Sequence, residues 1–558
     1  MLLTLHDPSR ARRFYEQGLW RRDTLYSLLC KHANERPEHF ALRDSKHRLT
    51  WLELKNWVDS VAHDLDETGV PAGGRVSIWL PNRVESVVTF LACSRNGYVC
   101  NSSLHQNYTV GEIIELLRSV RSSVLLTEAG YGANSFAQDI FSLAAELPAM
   151  QRVYQASSAN NVLRAKHSAA FPLPGSRAPL ASPPIANPDK IVYLAFTSGT
   201  TGKPKGVMHS DNTLLANGRA MVKDWQHDAN TILLSLSPMS HHIATVALEQ
   251  SLVAGCELVL NDTRPGRAPL DWILETGATY VMGVPTHAID IQAAMKRRDL
   301  QQLGKVKVFY MAGAPIPEET ARTFLDQGTL PQNVYGMTEN GSHQYTLPND
   351  DRDTIVKTAG RCCDVYEVKI FLQDNANIEA QPGAVGEIGG RGAMLMLGYF
   401  DDQSATENSF NLDGYLMSGD LGWLDARGNL HFVSRKKDLI IRGGHNIYPA
   451  RIEDLALRHT RVQKAAVFPI ADDRLGEKVC LAIIARDGAI LDAYEVLEHL
   501  HCVGLSKFDM PEYFIQLDTF PLTPSGKVLK RELVELAKCG HIKPGAVRWI
   551  DPAKAKEA

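Results

Sequence analysis

The sequence predicts an α/β protein with a large N-terminal domain and a smaller α+β domain at its C-terminal end. Three observations support this fold class. A chain of 558 residues is too long to fold around one hydrophobic core. Short apolar runs alternate with helical patterns, which is typical of a parallel sheet with crossover helices. One apolar run of strand length, residues 191–196, ends in a loop of small hydroxyl and glycine residues that carries two lysines.

Periodicity and turn residues predict the individual elements. Residues 383–392 and 397–400 suit a small twisted β-subdomain, and residues 156–189, rich in proline, serine and alanine, suit a surface loop. Helices are predicted over 24–33, 49–65, 85–95, 110–119 and 493–500. Strands are predicted over 76–80, 191–196, 232–236, 280–285, 306–311, 439–442, 465–469 and 480–485.

Composition and charge give no support to several classes of protein. The net charge of −4 does not favour nucleic acid or an anionic membrane surface as a partner. No apolar run approaches the roughly 18 residues of a membrane span, and the N-terminal residues lack an apolar core of signal-peptide length. The nine cysteines form no CxxC pair, so neither a zinc site nor a disulfide framework is indicated. We therefore expect a cytoplasmic protein.

The loop after the strand at 191–196 has the chemistry of a polyphosphate site. Glycines let the backbone turn sharply and approach a ligand closely, while hydroxyl groups and lysines offer hydrogen bonds and positive charge to phosphates. The spacing is not the Walker pattern, because Thr197 stands where that pattern requires its first glycine. The residues that supply this chemistry are Thr197, Ser198, Gly199, Thr200, Thr201, Gly202, Lys203, Lys205 and Gly206.

Residues 197–206, Thr-Ser-Gly-Thr-Thr-Gly-Lys-Pro-Lys-Gly, resemble the phosphate-binding signature of the adenylate-forming enzymes. That superfamily comprises acyl- and aryl-CoA ligases, peptide-synthetase adenylation domains and firefly-type luciferases. The resemblance extends from about residue 15 to residue 535. It implies an acyl-CoA-synthetase-like N-terminal domain over 1–436, with two α/β subdomains and a small β-subdomain. It also implies a mobile C-terminal domain over 438–558 and a hinge at Lys437.

Two further motifs of the N-terminal domain resemble the family. Residues 333–339, Asn-Val-Tyr-Gly-Met-Thr-Glu, resemble its Tyr-Gly-x-Thr-Glu motif, and residues 312–315 resemble a turn against which the adenine stacks. The resemblance implies that Thr338 contacts the α-phosphate and that Glu339 holds Mg²⁺, for which a carboxylate is a suitable hard ligand. The other nucleotide-binding residues implied here are Gly313, Ala314, Pro315, Tyr335, Gly336 and Met337, with Tyr335 over the adenine.

Motifs nearer the C-terminus complete the resemblance. Asp420, in Gly-Tyr-Leu-Met-Ser-Gly-Asp, is implied to accept hydrogen bonds from both ribose hydroxyls, and Arg435 is implied to reach the same sugar. Ser418 and Ser434 stand where the family more often has threonine and glycine. The loop at Gly443 and Gly444 resembles the lining of the pantetheine tunnel of CoA ligases. Lys527, in Pro-Leu-Thr-Pro-Ser-Gly-Lys, resembles the catalytic lysine, a compact charge on a flexible stem.

The acid is predicted from the residues that follow the strand at 232–236. His241 falls on the position that lies at the floor of the family's acid pocket. His242 replaces the aspartate of amino-acid-activating relatives and the asparagine of dihydroxybenzoate-activating ones, so neither substrate type is favoured. The neighbouring candidates are apolar or small, without an obvious arginine or lysine, and comprise Ile243, Ala244, Gly283, Gly313 and Met337. A compact, uncharged aryl, alicyclic or medium-chain acid is expected, as in bacterial cyclohexanecarboxylate- and aryl-CoA ligases.

The resemblance implies a two-step reaction that uses ATP, Mg²⁺ and coenzyme A. The acid and ATP give acyl-AMP and pyrophosphate, and the thiol of CoA then displaces AMP. One alternative is a freestanding aryl-acid adenylating enzyme that loads a phosphopantetheinyl carrier protein. A nucleotide-binding protein without turnover is a remote alternative, against which Lys527, Glu339 and Asp420 argue.

Regulation and partners are also implied. Residues 521–527 resemble the site that bacterial acetyltransferases modify, so a lysine acetyltransferase and a deacetylase acting on Lys527 are expected partners. Acetylation would remove the charge of that lysine. No nucleic acid or membrane partner is expected, and the protein is expected to be a monomer or a homodimer.

Overall fold

The computed structural model describes residues 8–156, 166–197, 204–262, 267–523 and 528–549. The chain divides into two compact units. The first unit contains Met1–Val368, Gly390–Leu416 and Gly428–Leu430, and the second contains Lys369–Gly389, Met417–Arg427 and His431–Ala558. The functional division at Lys437, with domains over 1–436 and 438–558, stays a prediction.

The strands are short, as is usual for an α/β protein. In chain order they are β1 Phe40–Arg43, β2 Arg48–Thr50, β3 Arg75–Trp79, β4 Val99–Asn101, β5 Ser122–Thr127, β6 Arg152–Gln155, β7 Ser168–Ala170, β8 Ile191–Thr197, β9 Lys205–Ser210, β10 Ile232–Ser235, β11 Glu257–Leu260, β12 Tyr280–Gly283, β13 Val308–Met311, β14 Leu330–Met337, β15 Gly341–Tyr345, β16 Arg361–Cys362, β17 Tyr366–Phe371, β18 Gly386–Gly392, β19 Gly398–Tyr399, β20 Leu416–Leu424, β21 Leu430–Arg435, β22 Ile440–Arg442, β23 His445–Ile447, β24 Val462–Asp472, β25 Gly476–Ala485, β26 Tyr513–Gln516 and β27 Gly545–Ala546.

The helices alternate with these strands through most of the chain. They are α1 Pro8–Glu16, α2 Leu25–Glu35, α3 Trp51–Glu67, α4 Val84–Asn96, α5 Val110–Ser119, α6 Ile140–Ala145, α7 Asp211–Trp225, α8 His242–Ala254, α9 Pro269–Thr276, α10 Pro285–Arg297, α11 Glu318–Asp326, α12 Arg352–Lys357, α13 Gln403–Glu407, α14 Pro449–Leu457, α15 Ala493–Cys502 and α16 Lys530–Lys538.

Two large sheets form the first unit. The nine-stranded sheet has the order β16-β15-β14-β13-β12-β10-β11-β1-β2, and the eight-stranded sheet has the order β19-β9-β8-β4-β3-β5-β6-β7. Strands β14, β13, β12, β10, β11 and β1 are mutually parallel along the first order. The predicted α/β fold with a parallel sheet and crossover helices is therefore confirmed.

The remaining sheets are smaller. A four-stranded sheet has the order β17-β18-β20-β21, and the chain passes from one unit to the other within each of its strands. In the second unit, β22 to β27 form a six-stranded sheet with the order β23-β22-β25-β26-β27, and β24 pairs with β25. This sheet and helices α14, α15 and α16 give the predicted small α+β domain.

Helix α8 lies inside the first unit and carries the beginning of the candidate site. Its residues from Ala244 to Leu252 are all buried. A helix that is buried on every side must pack between layers, and it needs little amphipathic pattern to do so. Its first residues follow β10 directly, so they lie at the carboxyl end of a central parallel strand.

Three local expectations differ from the structure. Residues 397–400, expected in the small β-subdomain, instead contain β19, which pairs with β9 at the edge of the eight-stranded sheet. The helix predicted from residue 49 begins at Trp51, because Arg48–Thr50 pair with β1 and the Thr50 hydroxyl caps the helix by accepting from the Glu53 amide. The loop predicted over 156–189 contains β7, which extends the eight-stranded sheet beside β6. Edge strands this short carry a weak sequence signal, since three residues hardly show a period.

Candidate active site

The predicted phosphate loop joins two antiparallel strands of the eight-stranded sheet. Strands β8 and β9 pair so that Phe196 faces Gly206 and Thr197 faces Lys205. The loop therefore returns to the sheet that it left, unlike a Walker loop, which leads from a strand into a helix. Ser198, Gly199, Thr200, Thr201, Gly202 and Lys203 lie outside the described residues.

Lys205 and Glu339 both interact with one buried tyrosine. The Lys205 ammonium lies 4.7 Å from the centre of the Tyr399 ring, a cation–π contact. The Tyr399 hydroxyl donates a hydrogen bond of 3.0 Å to Glu339 Oε1. Burial and the Glu339 charge raise the pKa of Tyr399, so the phenol keeps its proton and remains a donor. The structure thus links the phosphate loop to the carboxylate that is predicted to hold Mg²⁺.

Thr338 and Glu339 lie in the tight turn between β14 and β15. Gly336 permits this turn, because a Cβ atom there would lie 1.8 Å from the Gly341 carbonyl oxygen. The Asn340 side chain accepts a hydrogen bond of 3.0 Å from the Met337 amide. The Glu339 carbonyl accepts another, of 2.7 Å, from the Met396 amide. The backbone at the predicted metal ligand is therefore held on both sides.

The carbonyl of Thr338 is held by His209 of β9. His209 Nε2 lies 2.7 Å from the Thr338 oxygen, and Nδ1 lies 3.0 Å from the Thr213 hydroxyl. Burial lowers the pKa of His209 to about 4, so the imidazole is neutral near pH 7. A carbonyl can only accept a hydrogen bond, which places the single ring proton on Nε2.

Other predicted residues lie at the carboxyl edge of the parallel strands, where open α/β sheets bind ligands. His241 follows β10, Val284 follows β12 and Gly313 follows β13. Gly313 has a φ of +89°, and a Cβ atom there would lie 3.7 Å from Val284 Cγ1 and 4.0 Å from Ile243 Cδ1. The nearest side-chain atoms around Gly313 are therefore aliphatic and come from the segments that follow two neighbouring strands. Ala314 and Pro315 continue from Gly313 as exposed residues.

Aromatic rings form one wall beside this edge. The His241 ring lies 4.5 Å from that of His105, whose pKa burial lowers to about 4. His242 stacks on His209 at 5.6 Å and on Tyr193 at 5.8 Å, with interplanar angles of 14° and 16°. Burial lowers the pKa of His242 to about 3. His242, which the sequence left without a role, therefore presents a neutral, stacked ring.

Tyr335 is the residue predicted to cover the adenine. It lies near the end of β14, half-buried, and its ring meets that of His343 edge-on at 5.5 Å. The His343 ring in turn stacks on Tyr366 at 4.5 Å. The neighbouring Met337 is half-buried and pairs with Gly341 across the hairpin. Tyr335 thus packs against a further pair of rings, which restrict its orientation.

The ribose-binding residues predicted in the second unit lie close to each other. Arg435 Nε lies 3.8 Å from Asp420 Oδ1. The Asp420 amide donates to the Ser418 hydroxyl at 3.1 Å, so Ser418 performs a local structural role. Lys436 forms an ion pair of 2.7 Å with Glu387, whereas burial lowers the pKa of Lys437. Lys437 lies in a short 3₁₀ turn, Lys436–Asp438, between β21 and β22.

Gly443 and Gly444 form the turn of the β22–β23 hairpin. Their φ angles of +57° and +83° lie in the region that favours glycine. Arg442 and His445, which face each other across the hairpin, both contact the segment before β26. Arg442 Nη1 lies 2.6 Å from Glu512, and His445 Nε2 lies 2.8 Å from Asp509. The predicted pantetheine loop is therefore anchored on both of its strands.

The structure brings the predicted residues together in two groups. The first unit contains the described part of the phosphate loop, the acid-pocket residues and the Tyr335–Glu339 motif. The second contains Asp420, Arg435, Lys437 and the Gly443–Gly444 turn. Lys527 lies outside the described residues. Sequence reasoning missed Tyr399 and His209, although each had a signal: a tyrosine or histidine inside a strand motif needs a polar partner once it is buried.

The residues present fit a magnesium nucleotide. Glu339 offers a carboxylate oxygen, and the Tyr399 that binds it also contacts Lys205. Mg²⁺ commonly takes one or two carboxylates together with substrate phosphates. Within residues 8–156, 166–197, 204–262, 267–523 and 528–549, no group of three or more histidine, cysteine or acidic side chains is arranged to hold a metal ion. The described part of the chain therefore suits an ion that arrives with its nucleotide better than an ion bound by protein alone.

Comparison with known proteins agrees with this geometry. The sequence profile of the AMP-binding enzymes matches residues 29–400, and that of the AMP-binding enzyme C-terminal domain matches residues 451–527. The medium-chain fatty-acid–CoA ligase of Escherichia coli is 26% identical over 532 residues, which cover 95% of this chain and 93% of that protein. The mitochondrial medium-chain acyl-CoA ligase of Homo sapiens is 29% identical, with 88% and 83% covered.

The fold of this chain is also similar to that of a solved CoA synthetase. The o-succinylbenzoate CoA synthetase of Bacillus subtilis, in complex with its acyl-adenylate intermediate, superposes with a TM-score of 0.77 at 25% identity, covering 92% of this chain and 98% of that one. No described helix of the present chain combines the length and the apolar character needed to cross a membrane. The chain belongs to the AMP-binding enzyme family, whose members form acyl adenylates, and is an AMP-forming carboxylic acid–CoA ligase that uses ATP, Mg²⁺ and CoA.

Proposed function

We propose that this ligase activates a compact, uncharged carboxylic acid of the alicyclic, aryl or medium-chain class. The observation that carries the proposal is the space between Ile243, Val284 and Gly313, which is walled by aliphatic atoms and a glycine. The neighbouring rings of His105 and His242 are neutral, since burial lowers both of their pKa values. A second carboxylate would find no compensating charge among these residues, and burying it unpaired would be costly.

The chemistry follows from these groups. An oxygen of the acid carboxylate forms a bond to the α-phosphorus of ATP, and the bond from that phosphorus to the pyrophosphate oxygen breaks. We assign the β- and γ-phosphates to the loop over 197–206 and the α-phosphate to Thr338. Lys527 neutralises the charge that develops on the phosphoryl oxygens. Mg²⁺ on Glu339 supplies positive charge to the same oxygens when it is bound.

The second step involves further residues of the second unit. The CoA thiol loses its proton and attacks the acyl carbonyl carbon, and the bond to AMP breaks. We assign the ribose to Asp420 and Arg435, the pivot of the domain movement to Lys437, and the pantetheine to the Gly443–Gly444 turn. Domain movements of this kind can limit turnover. The positive φ angles of both glycines support a turn that can approach a ligand closely.

A pyrophosphate-release screen tests the choice of acid. Small aromatic, alicyclic and linear C4–C12 acids are compared, with and without CoA, and dicarboxylic acids of matched length serve as controls. We expect the highest kcat/KM for an uncharged monocarboxylic acid. A dicarboxylate or an amino acid as the best substrate would contradict the proposal.

The acceptor and the lysine are tested separately. The alternative acceptor is a phosphopantetheinyl carrier protein, and CoA is favoured because both relatives described above are named CoA ligases. Equal thioester yields from a panel of carriers and from CoA would contradict this choice. Lys527→Ala should abolish acyl-AMP formation but leave thioester formation from supplied acyl-AMP. Acetylation of Lys527 should give the same split, and an acetylated enzyme that still releases pyrophosphate normally would refute this form of regulation.

A further inference from the structure

His209 connects the two motifs on which the proposed adenylation depends. It lies on β9, the strand that leaves the phosphate loop, and its Nε2 lies 2.7 Å from the Thr338 carbonyl oxygen. The two residues are separated by 129 positions in the sequence. The His209 imidazole, which comes from the eight-stranded sheet, thus contacts the backbone of the Thr338–Glu339 turn at the Thr338 carbonyl.

The imidazole is fixed in one tautomer and one orientation. Nε2 donates to the carbonyl, so Nδ1 carries the lone pair that faces the Thr213 hydroxyl at 3.0 Å. Thr213 is itself held, because its oxygen accepts the Ser210 amide at 3.0 Å in the cap of α7. His209 is 1% exposed, and its ring packs beside those of Tyr193, 6.3 Å away, and His242, 5.6 Å away, which also contact each other. A buried ring with stacking partners and both nitrogens engaged has little freedom to move.

The His209 hydrogen bond affects Thr338 and Glu339, which are proposed to contact the α-phosphate and Mg²⁺. Thr338 and Glu339 occupy a tight turn, and the Tyr399 hydroxyl donates a hydrogen bond of 3.0 Å to the Glu339 side chain. A turn whose carbonyl is anchored cannot rotate its peptide plane freely. The direction of the Thr338 hydroxyl and of the following carboxylate depends on that plane. Displacement of a reacting group by about 1 Å can reduce a rate by about 100-fold.

We propose that His209 is a positioning residue of adenylation: its Nε2–H anchors the Thr338 carbonyl and thereby fixes the Thr338–Glu339 turn against the α-phosphate and the metal. This inference rests on the proposed function. It assigns His209 no proton transfer and no contact with substrate. It predicts a defect in the chemical step of acyl-AMP formation and little change in the affinity for ATP.

Three variants separate the hydrogen bond from the bulk of the ring. His209→Gln retains an N–H donor at a reach close to that of Nε2, His209→Asn retains the amide at a shorter reach, and His209→Leu removes the donor. The main assay is acid-dependent exchange of pyrophosphate into ATP, with kcat and the KM for ATP measured separately. The second assay is conversion of supplied acyl-AMP and CoA into acyl-CoA. Thermal unfolding monitors the fold of each variant.

We expect His209→Gln to keep kcat for exchange within about 5-fold of the wild type, and His209→Asn and His209→Leu to lose about 10- to 100-fold, which corresponds to the loss of a buried hydrogen bond. The KM for ATP should stay within about 3-fold, and acyl-AMP consumption should stay near the wild-type rate. If the leucine variant does not fold, the glutamine and asparagine pair decides the question by itself.

Several results would overturn the proposal. They are full activity of His209→Leu, equal losses in His209→Gln and His209→Asn, or parallel losses in both half-reactions, the last of which would indicate general damage to the fold. A wild-type enzyme that shows no exchange with any acid would instead refute the proposed function. The two failures are therefore distinguishable.

Discussion

Replacing Tyr399 by phenylalanine tests whether the link between the phosphate loop and the predicted metal ligand matters. The substitution removes one hydroxyl and keeps the ring, so the contact with Lys205 at 4.7 Å remains possible. What is lost is the hydrogen bond of 3.0 Å to Glu339 Oε1. Glu339 then loses the buried group that fixes the direction of its carboxylate, although the backbone of the turn keeps its own hydrogen bonds.

The size of the effect follows from the kind of hydrogen bond. A bond to a charged group contributes about 1.5–3 kcal/mol. Glu339 is half-buried, so water can partly replace the lost hydroxyl and the lower value, about 1.5 kcal/mol, is appropriate. At about 1.4 kcal/mol for each factor of ten, kcat/KM for Mg-ATP in the exchange assay should fall about 10-fold. The defect should be larger at low than at high Mg²⁺ concentration, because a mobile carboxylate binds the ion less well.

The chain offers a matched control. The Tyr415 hydroxyl donates to Glu367 Oε1 at 2.5 Å, and the Arg391 guanidinium lies 4.2 Å from the Tyr415 ring. Tyr415→Phe therefore removes the same chemical group from the same kind of cation–tyrosine–carboxylate arrangement, at residues without a predicted role in the reaction. It should lower thermal stability as much as Tyr399→Phe and leave kcat/KM within about 2-fold. Equal losses of activity in the two variants, or no loss in Tyr399→Phe, would refute the reasoning.

Three further outcomes are expected. Val284→Ala enlarges the space beside Gly313 and Ile243. The kcat/KM for a branched or longer acid should therefore rise relative to that for the best acid, and the KM for ATP should not change. A uniform loss for all acids would place Val284 outside the pocket. His445→Gln or Asp509→Asn weakens a hydrogen bond of 2.8 Å whose histidine is 52% exposed, so thioester formation should lose only about 2- to 5-fold in kcat/KM for CoA. An equal loss in pyrophosphate exchange would contradict the assignment of this hairpin to the second step. His343 is buried, and burial lowers its pKa to about 3, below the ordinary value of about 6.5. Between pH 3 and pH 6.5, unfolding is therefore accompanied by protonation of His343. The contribution of this residue to the free energy of unfolding is fully present above about pH 6.5 and falls by up to about 1.4 kcal/mol per pH unit as the pH drops toward 3. The Tm of His343→Phe, relative to the wild type in the same buffer, should rise as the buffer is changed from pH 7 to pH 4.5, and a constant difference would contradict this prediction.

Local sequence signals predicted the elements best where several of them agreed. The helix expected over 110–119 is found at Val110–Ser119, because an apolar period coincides with a capping box in which Thr109 accepts the Glu112 amide. The apolar run at 191–196 is β8, and the glycines and lysines after it are visible without any structure. Helix α8 has almost no amphipathic pattern, and its extent follows from burial between layers that are distant in sequence.

The sequence predicted which residue types form the candidate site, but it did not predict the hydrogen bonds and ring contacts between them. Glu339 stands in a motif that the sequence shows directly, whereas Tyr399 lies 60 positions further on and reaches it through the pairing of β19 with β9. The Lys205 contact with Tyr399 depends on the same pairing of β19 with β9. The His209 hydrogen bond instead joins β9 to the turn between β14 and β15. Register between strands is decided by packing in the folded molecule. A single sequence therefore shows the motif residues that are predicted to contact substrate, but not the side chains, such as Tyr399 and His209, that position them.

These connections also explain why the choice of acid can vary while the reaction stays the same. The groups assigned to phosphate and metal are joined by β9, β19 and the β14–β15 hairpin, through hydrogen bonds of 2.7 Å and 3.0 Å. The candidate acid pocket is made from residues that follow β10, β12 and β13, and a Cβ atom added at Gly313 would meet only aliphatic atoms, of Val284 at 3.7 Å and of Ile243 at 4.0 Å. Aliphatic contacts tolerate exchange of similar volumes at modest cost, whereas a buried hydrogen bond to a backbone carbonyl does not. Substitutions in the pocket should therefore alter the substrate without disturbing the turn that carries Thr338 and Glu339.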